Sequence, residues 1–424
     1  MHTHSRFCFA IVLSAVLSAV AFAGAWDEPA WQFWLAPGAA PAGWTKIAPD
    51  SAYTDARACG YEATDGITQN ATGTTADRPY YFSAGLAEGN YRVAVTFSGT
   101  LTVKTEVRRL VLENAVSVPG ATSRREFIVN IRRDGIVGAA PPDRTAVNLK
   151  PRERAEEKWN WDDKLTLEFN TSASAFPAVA AIEITRAEDV PTLFLLGDST
   201  VCDQPREPYA SWGQMLTRFF KPTIAVANHA ESGESYQSAL GRGRLAKILS
   251  QLRPGDTVML QFGHNDMKSV DVPAYTASIR QFVSAIRAKK AAVVLVTQMQ
   301  RRTFGEDGKI TNSHKGYPDA VREVAREEKL PLIDLHAMSM QFYEALGKDG
   351  SAIAFKPGDG THHNAYGAYE LAKCIVQGIR DNKLPLARHI EDDFAGFAPA
   401  KPDAPESLKI PPSLTAPGEK PDGS

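Results

Sequence analysis

The chain has 424 residues, 43% hydrophobic and 23% charged, enough to bury more than one core and too apolar for a disordered protein. Lysine plus arginine, 47, nearly balances aspartate plus glutamate, 49, giving a net charge of -2. No basic excess is available to grip nucleic acid or an anionic membrane surface, so those partners are excluded as expectations.

Residues 1–25 stand apart. Arg6 precedes an apolar stretch from Phe7 to Phe22, and the small residues Ala21, Ala23 and Ala25 close it. A charged start, an apolar core and an A-x-A exit describe a secretory signal peptide, with cleavage expected near Ala23 or Ala25 and delivery to periplasm or medium. The competing reading is a membrane anchor, but the run is short for a span and is broken by Ser14 and Ser18. Cleavage removes Cys8 and leaves Cys59, Cys202 and Cys374, which permit at most one bridge and leave its pairing open.

From residue 26 to 189 strand patterns dominate. Tyr91, Val93, Val95 and Phe97 alternate with more polar neighbours, as do Phe127, Val129 and Ile131, and then Leu165, Leu167 and Phe169. Glycine and proline punctuate the gaps, so this region reads as an all-β sandwich. Trp159 and Trp161 are read as core or domain-interface packing ahead of a sugar-stacking platform.

From residue 190 to 394 strands and helices alternate. Apolar runs at 192–196, 224–227, 257–262, 292–297 and 330–335 read as buried parallel strands. Helical patterns at 275–290, 318–328 and 365–380 complete a three-layer α/β domain around a five-stranded parallel sheet. Residues 395–424 are rich in proline without periodicity and read as an extended or disordered tail.

Four segments of the α/β domain carry chemistry. Gly197-Asp198-Ser199-Thr200 ends the first strand, where open α/β sheets place their ligands; Ser199 there is a nucleophile or a helix cap. Gly233 follows the second strand, as an exposed backbone N–H or an ordinary turn. Asn265 follows the third, as an amide donor or a turn residue. Asp359 and His362 stand three apart before the last helix, so the carboxylate can take one imidazole N–H and leave the other nitrogen as a base. His362 and His363 are adjacent, point apart and have no third ligand motif, so no metal site is assigned. Together the segments supply a nucleophile, a base with its orienting acid, and oxyanion donors, the set that acyl transfer needs.

Gly197-Asp198-Ser199, Gly233, Asn265 and Asp359-x-x-His362, in this order, resemble the four blocks of the SGNH (GDSL-type) hydrolases over roughly residues 190–390. Asn228-x-Ala230-x-x-Gly233-x-Ser235, the segment Gln261 to Asp266, Asp359 to Asn364 and Ser211 to Met215 are similar to the rhamnogalacturonan acetylesterase group. The resemblance implies a flavodoxin-like α/β/α fold and removal of acetyl groups from an acetylated pectic polysaccharide. It implies Ser199 as nucleophile, His362 as base, Asp359 as its orienter, and an oxyanion held by the N–H groups of Ser199 and Gly233 and the Asn265 amide. No cofactor is called for. The sandwich, galactose-binding-like in type, is not part of the minimal family enzyme.

Arg301 and Arg302 follow the fourth strand and Tyr317 lies beyond; they are candidates for binding galacturonate carboxylates, with exposed surface charge as the alternative. Other readings are an ester on a different glycan such as xylan, a lipid acyl ester, or a carbohydrate-binding protein with an inactive hydrolase domain. Polar loops after the strands oppose the lipid ester, and the complete set of five site residues opposes the inactive domain. The oligomeric state is left open.

Overall fold

The computed structural model describes residues 30–414, so the expected signal peptide and residues 415–424 of the tail lie outside the described residues. The alternating positions drive the first domain. Tyr91, Val93, Val95 and Phe97 point inward from the strand Gly89–Ser98 and meet Leu165, Leu167 and Phe169 from Lys164–Asn170 in one buried core. Those two strands belong to different sheets, so the shared core makes a sandwich. One sheet runs in the order Ser123–Ile131, Gly89–Ser98, Ala178–Arg186, Ala30–Trp34, Thr45–Lys46, with Thr74–Ala76 and Ile67–Gln69 added at the side. The other runs Cys59–Tyr61, Tyr80–Gly85, Lys164–Asn170, Thr100–Thr105, Arg109–Val116. A short helix at Pro151–Ala155, unforeseen in the strand pattern, interrupts the all-β region.

The second domain is built on a sheet of five parallel strands in the order Ala225–Asn228, Thr192–Gly197, Thr257–Gln261, Ala292–Val296, Leu332–Ile333. Its strands are apolar throughout because both faces are covered. Leu193, Leu195, Met259 and Val294 face one core, which the helices Trp212–Leu216, Leu335–Leu346 and Ala365–Asp381 close. Phe194, Leu196, Val258, Leu260 and Val293 face the other, closed by Tyr236–Gly241, Arg244–Gln251, Val272–Ala288 and Tyr317–Glu327. Side chains that alternate across each strand therefore fill two layers. The loops that leave the carboxyl ends of all these strands open on one edge. No helix among the described residues is long and apolar enough to cross a membrane. Cys59, Cys202 and Cys374 are buried and unbridged.

The two domains share interior. Leu110 of the sandwich is part of a hydrolase core, and Ile128 and Ala187 pack on Val190 and Ala225. Arg109, fully buried, donates to Asp203 Oδ2 at 2.9 Å, to Asn160 Oδ1 at 3.0 Å and to the Asn130 carbonyl at 3.3 Å. Trp161 packs edge-on to His229 of the hydrolase under the guanidinium of Arg132, the interface role expected for this tryptophan. The described part of the tail is extended but not disordered. Lys104 of the sandwich donates to the Pro411 carbonyl at 2.6 Å, and Lys373 of the last hydrolase helix pairs with Asp403 at 2.6 Å. Proline-rich backbone has few internal hydrogen bonds, so these side chains from both domains supply what holds it.

Arg109→Ala leaves Asp203 buried without its cation. We expect a loss of about 3–5 kcal/mol in urea unfolding; a loss under about 1 kcal/mol would mean that the Asn228 amide, which donates to Asp203 Oδ1 at 2.9 Å, satisfies the carboxylate alone.

Candidate active site

The strand Thr192–Gly197 ends where a side chain has no room: a Cβ on Gly197 would lie 2.5 Å from Val201 Cγ2 and 2.6 Å from the Gln261 carbonyl oxygen. The chain then turns through Asp198-Ser199-Thr200 under tight control. Asp198 Oδ1 accepts from the Thr200 N–H at 3.0 Å and from its hydroxyl at 2.7 Å, and Oδ2 faces His264 Nδ1 at 3.2 Å. Burial pushes the Asp198 carboxyl up, but the His264 ring and the Thr200 donors outweigh it and hold the group below the usual carboxylate range. Gln261, at the end of the next strand, donates to Thr200 Oγ1 at 2.7 Å and accepts from Trp212 Nε1 at 2.7 Å. Gln204 Nε2 donates to the carbonyl of Ser199 itself at 2.7 Å.

Ser199 Oγ lies 2.9 Å from His362 Nε2, and His362 Nδ1 lies 2.9 Å from Asp359 Oδ2. A carboxylate only accepts, so Nδ1 carries the proton and Nε2 is the acceptor that faces the serine hydroxyl. Burial raises Asp359, but the hydrogen bond and charge of His362 and the N–H groups of Thr361 and His362, at 2.8 and 3.1 Å, hold it well below the usual carboxylate range. Asp359 therefore stays ionised wherever His362 is needed as a base. The loop that carries both is pinned by the Arg302 N–H on the Gly360 carbonyl at 2.7 Å, and Asn364 caps the following helix through the Gly367 N–H at 3.1 Å. His363 turns the other way, onto the Tyr343 hydroxyl at 2.7 Å and the Phe355 ring, so the adjacent histidines do not converge.

Gly233 sits at φ 74°, in the left-handed region that favours glycine. The N–H groups of Ser199 and Gly233 donate to no other backbone carbonyl among the described residues. Asn265 Nδ2 donates to the Glu234 carbonyl at 3.0 Å, which fixes the amide against the Gly233 loop and leaves its second N–H. One residue further, Asp266 Oδ1 accepts the Tyr236 N–H at 2.9 Å, so the second and third loops are tied twice.

The loop that bears Gly233 is also held from the sandwich side, which the sequence did not disclose. Lys150 Nζ donates to the Ser232 carbonyl, and Arg152 Nη2 donates to Ser232 Oγ at 2.9 Å. Both basic residues lie in a charge-dense run whose partners are set by domain packing, so spacing carried no signal for them. Tyr209 places its ring edge-on to His362, with centroids 5.9 Å apart.

The substrate candidates part ways. Arg301 is half-buried near the catalytic groups: it donates to the His264 carbonyl at 3.4 Å, and burial lowers its guanidinium pKa against the pull of Asp198 and Asp359. Arg302 is turned away, with Nε on Ser351 Oγ at 3.0 Å and Nη2 on the Lys348 carbonyl at 2.5 Å, and so anchors the Asp359 loop instead of meeting a ligand. Tyr317 is in the core against Tyr275, its hydroxyl donating to the Val270 carbonyl. It opens a helix whose apolar face takes it inward.

Asp266 is a buried carboxyl beside this site. Burial, with the Asp198 charge behind it, pushes its carboxyl up to about 7 despite the Tyr236 N–H. The folded state then binds more protons than the unfolded one between about pH 4 and 7, so stability falls as pH rises through that window, by at most about 1.4 kcal/mol per unit. Asp266→Asn keeps the acceptor for Tyr236 and should flatten this slope in denaturant titrations; parallel pH curves for the two proteins would exclude Asp266 as its source.

With this geometry in view, residues 195–369 match the GDSL-like lipase/acylhydrolase family. The rhamnogalacturonan acetylesterase RhgT of Bacillus subtilis (strain 168) is 38% identical over 216 residues, which span 47% of this chain and 93% of that protein. The probable rhamnogalacturonan acetylesterase YesY of the same organism is 32% identical over 212 residues, 47% of this chain and 96% of its own. The rhamnogalacturonan acetylesterase of Emericella nidulans is 24% identical over 227 residues, 48% of this chain and 90% of its own. The chain belongs to the GDSL-like lipase/acylhydrolase family and is a serine carboxylic ester hydrolase.

Proposed function

We propose that this enzyme removes acetyl groups from a plant cell-wall polysaccharide, rhamnogalacturonan above others, by an acyl-enzyme mechanism. The observation that carries the mechanism is the hydrogen-bonded line Ser199 Oγ, His362 Nε2, His362 Nδ1, Asp359 Oδ2 with both contacts at 2.9 Å. The substrate rests on the relatives that are named rhamnogalacturonan acetylesterases.

Ser199 Oγ attacks the acetyl carbonyl while its proton passes to His362 Nε2. The N–H groups of Ser199 and Gly233 and the free N–H of Asn265 receive the oxyanion. Collapse of the tetrahedral species breaks the ester bond, and the departing sugar hydroxyl takes the proton back from His362. Water, deprotonated by the same nitrogen, then attacks the acetyl-serine and releases acetate. Asp359 stays ionised throughout and stabilises the imidazolium formed in each half.

Export to the periplasm or the medium belongs to the same proposal and rests on Arg6 and the apolar run from Phe7 to Phe22. The two facing, largely antiparallel sheets support reading the first domain as a galactose-binding-like accessory to the hydrolase.

The test is acetate release from acetylated rhamnogalacturonan, acetyl-xylan and a small aryl acetate. Ser199→Ala should abolish release from every ester that the wild type cleaves. Asn265→Ala should lower kcat by about 10²–10³ with little change in KM, because the donor acts on charge that develops in the transition state. Preference for rhamnogalacturonan supports the substrate; release from xylan or the aryl ester alone keeps the triad and discards the pectin assignment. An unchanged kcat would remove Asn265 from the oxyanion site.

A further inference from the structure

A hairpin tip of the sandwich enters the hydrolase. The strands Thr100–Thr105 and Arg109–Val116 are joined by Glu106-Val107-Arg108, and all three residues are buried, whereas connecting loops ordinarily run over the surface. Glu106 and Arg108 hold φ at 52° and 58°, the left-handed region that residues with a Cβ seldom adopt. Such a conformation persists where surrounding contacts over-determine it. Here the contacts come from the hydrolase: Gln214 Nε2 donates to the Val107 carbonyl at 3.1 Å, and Thr217 Oγ1 donates to the Leu110 carbonyl at 2.5 Å.

The tip grips one segment. Residues 203–209 run from the nucleophile turn toward the helix Trp212–Leu216 without forming helix or strand. Arg108 Nη1 donates to the carbonyls of Gln204 and Tyr209, both at 2.9 Å, and Nη2 pairs with Glu207 at 2.5 Å. The next residue, Arg109, takes Asp203. One planar guanidinium therefore fixes the two ends of the segment relative to each other. Those ends are the parts that meet the triad. Gln204 Nε2 donates to the Ser199 carbonyl at 2.7 Å, and the Tyr209 ring stands edge-on to His362. Gln204 thus backs the serine and Tyr209 backs the histidine, with the 2.9 Å contact between Ser199 Oγ and His362 Nε2 lying between the two supports.

We propose that Arg108 is a positioning residue for ester hydrolysis: reaching across from the sandwich, it sets the spacing of the Gln204 and Tyr209 supports and, through them, the alignment of Ser199 with His362. The proposal rests on the Ser199–His362–Asp359 mechanism above. Arg108 contacts none of the reacting atoms, so its removal acts on turnover through geometry, and a misplacement of about 1 Å can cost about 10²-fold.

The test is steady-state kinetics of full-length Arg108→Gln on a small aryl acetate and on acetylated rhamnogalacturonan. On both esters kcat should fall by the same factor, about ten-fold or more, with KM held within about two-fold. Gln204→Ala should also lower kcat, and the double variant should lose little more than the worse single one, because both act along one path. Arg108→Lys, which keeps a charge for Glu207 and can reach one carbonyl, should fall between Arg108→Gln and the wild type, about three-fold or more below the latter. Arg92→Gln removes a different sandwich contact, the 2.7 Å bond from Arg92 Nη1 to the Pro222 carbonyl, and should lower the urea midpoint with kcat unchanged. An unchanged kcat in Arg108→Gln, a loss confined to KM or to the polysaccharide, or multiplying losses in the double variant would overturn the proposal. Should Arg108→Gln fail to fold, Arg108→Lys decides, and a wild-type kcat there would overturn it. Failure of the underlying mechanism would appear in another variant, as acetate release that survives Ser199→Ala.

Discussion

Charge buried between the two domains is the constraint on which this molecule turns. Arg244 has almost no exposed surface, and its guanidinium donates to Glu153 of the sandwich at 2.6 Å. Arg109 crosses the other way to Asp203. A charge withdrawn from water is tolerated only with its partner in place, so each of these pairs obliges the domains to stay together. The consequence reaches the chemistry, because the same contact surface delivers Lys150 and Arg152 onto Ser232. The backbone that offers the Gly233 N–H is thus clamped between the Asn265 amide on one side and two sandwich cations on the other. In the proposed mechanism the Gly233 N–H is an oxyanion donor, which works by being aimed before charge develops, and part of that aiming comes from outside the α/β fold.

The proposed nucleophile, Ser199, sits in a turn held by side chains around it. Asp198, His264, Thr200, Gln261 and Trp212 form a continuous polar chain from the first strand to the third and on to a helix. Every member is buried, so each unmade hydrogen bond would cost the full desolvation of its group. The turn at Ser199 is thereby held from both neighbouring strands. Arg302 does the equivalent for the Asp359 loop, its backbone on Gly360 and its side chain on Lys348 and Ser351. What spacing alone offered as a ligand-binding arginine is a strut.

The parts of the fold that could be read from the sequence are those that local periodicity decides. A strand covered on one face shows alternation, as in Tyr91 to Phe97, and a strand covered on both shows an unbroken apolar run, as in Leu193 to Leu196. Ser199, Gly233, Asn265 and the Asp359–His362 pair were legible for a related reason: parallel strands end on one edge, so short motifs at strand ends are brought together by topology. Tyr317, Arg302 and the proline-rich tail were not, because a lone aromatic, a lone arginine or an extended segment takes its role from whatever packs against it. Lys150 and Arg152 lie some 80 residues before the loop they hold, in another domain, and no local pattern encodes that contact.

This division has a functional reason. A triad and its oxyanion donors must be dry, rigid and matched to an acyl group, and acyl groups differ little from one ester to another. Such a site has scant means of telling one acetylated glycan from the next. Discrimination has to come from the sugar, through groups that stay accessible and can be varied without disturbing the nucleophile. The hydrolase fold leaves little of its own surface for that purpose above Ser199, since Tyr209 and the Asp359 loop already crowd it. The sandwich packs beside the carboxyl edge of the sheet and holds the Gly233 loop through Lys150 and Arg152. These two residues tie the loop behind Gly233 to the sandwich, so the geometry of that loop depends on both domains.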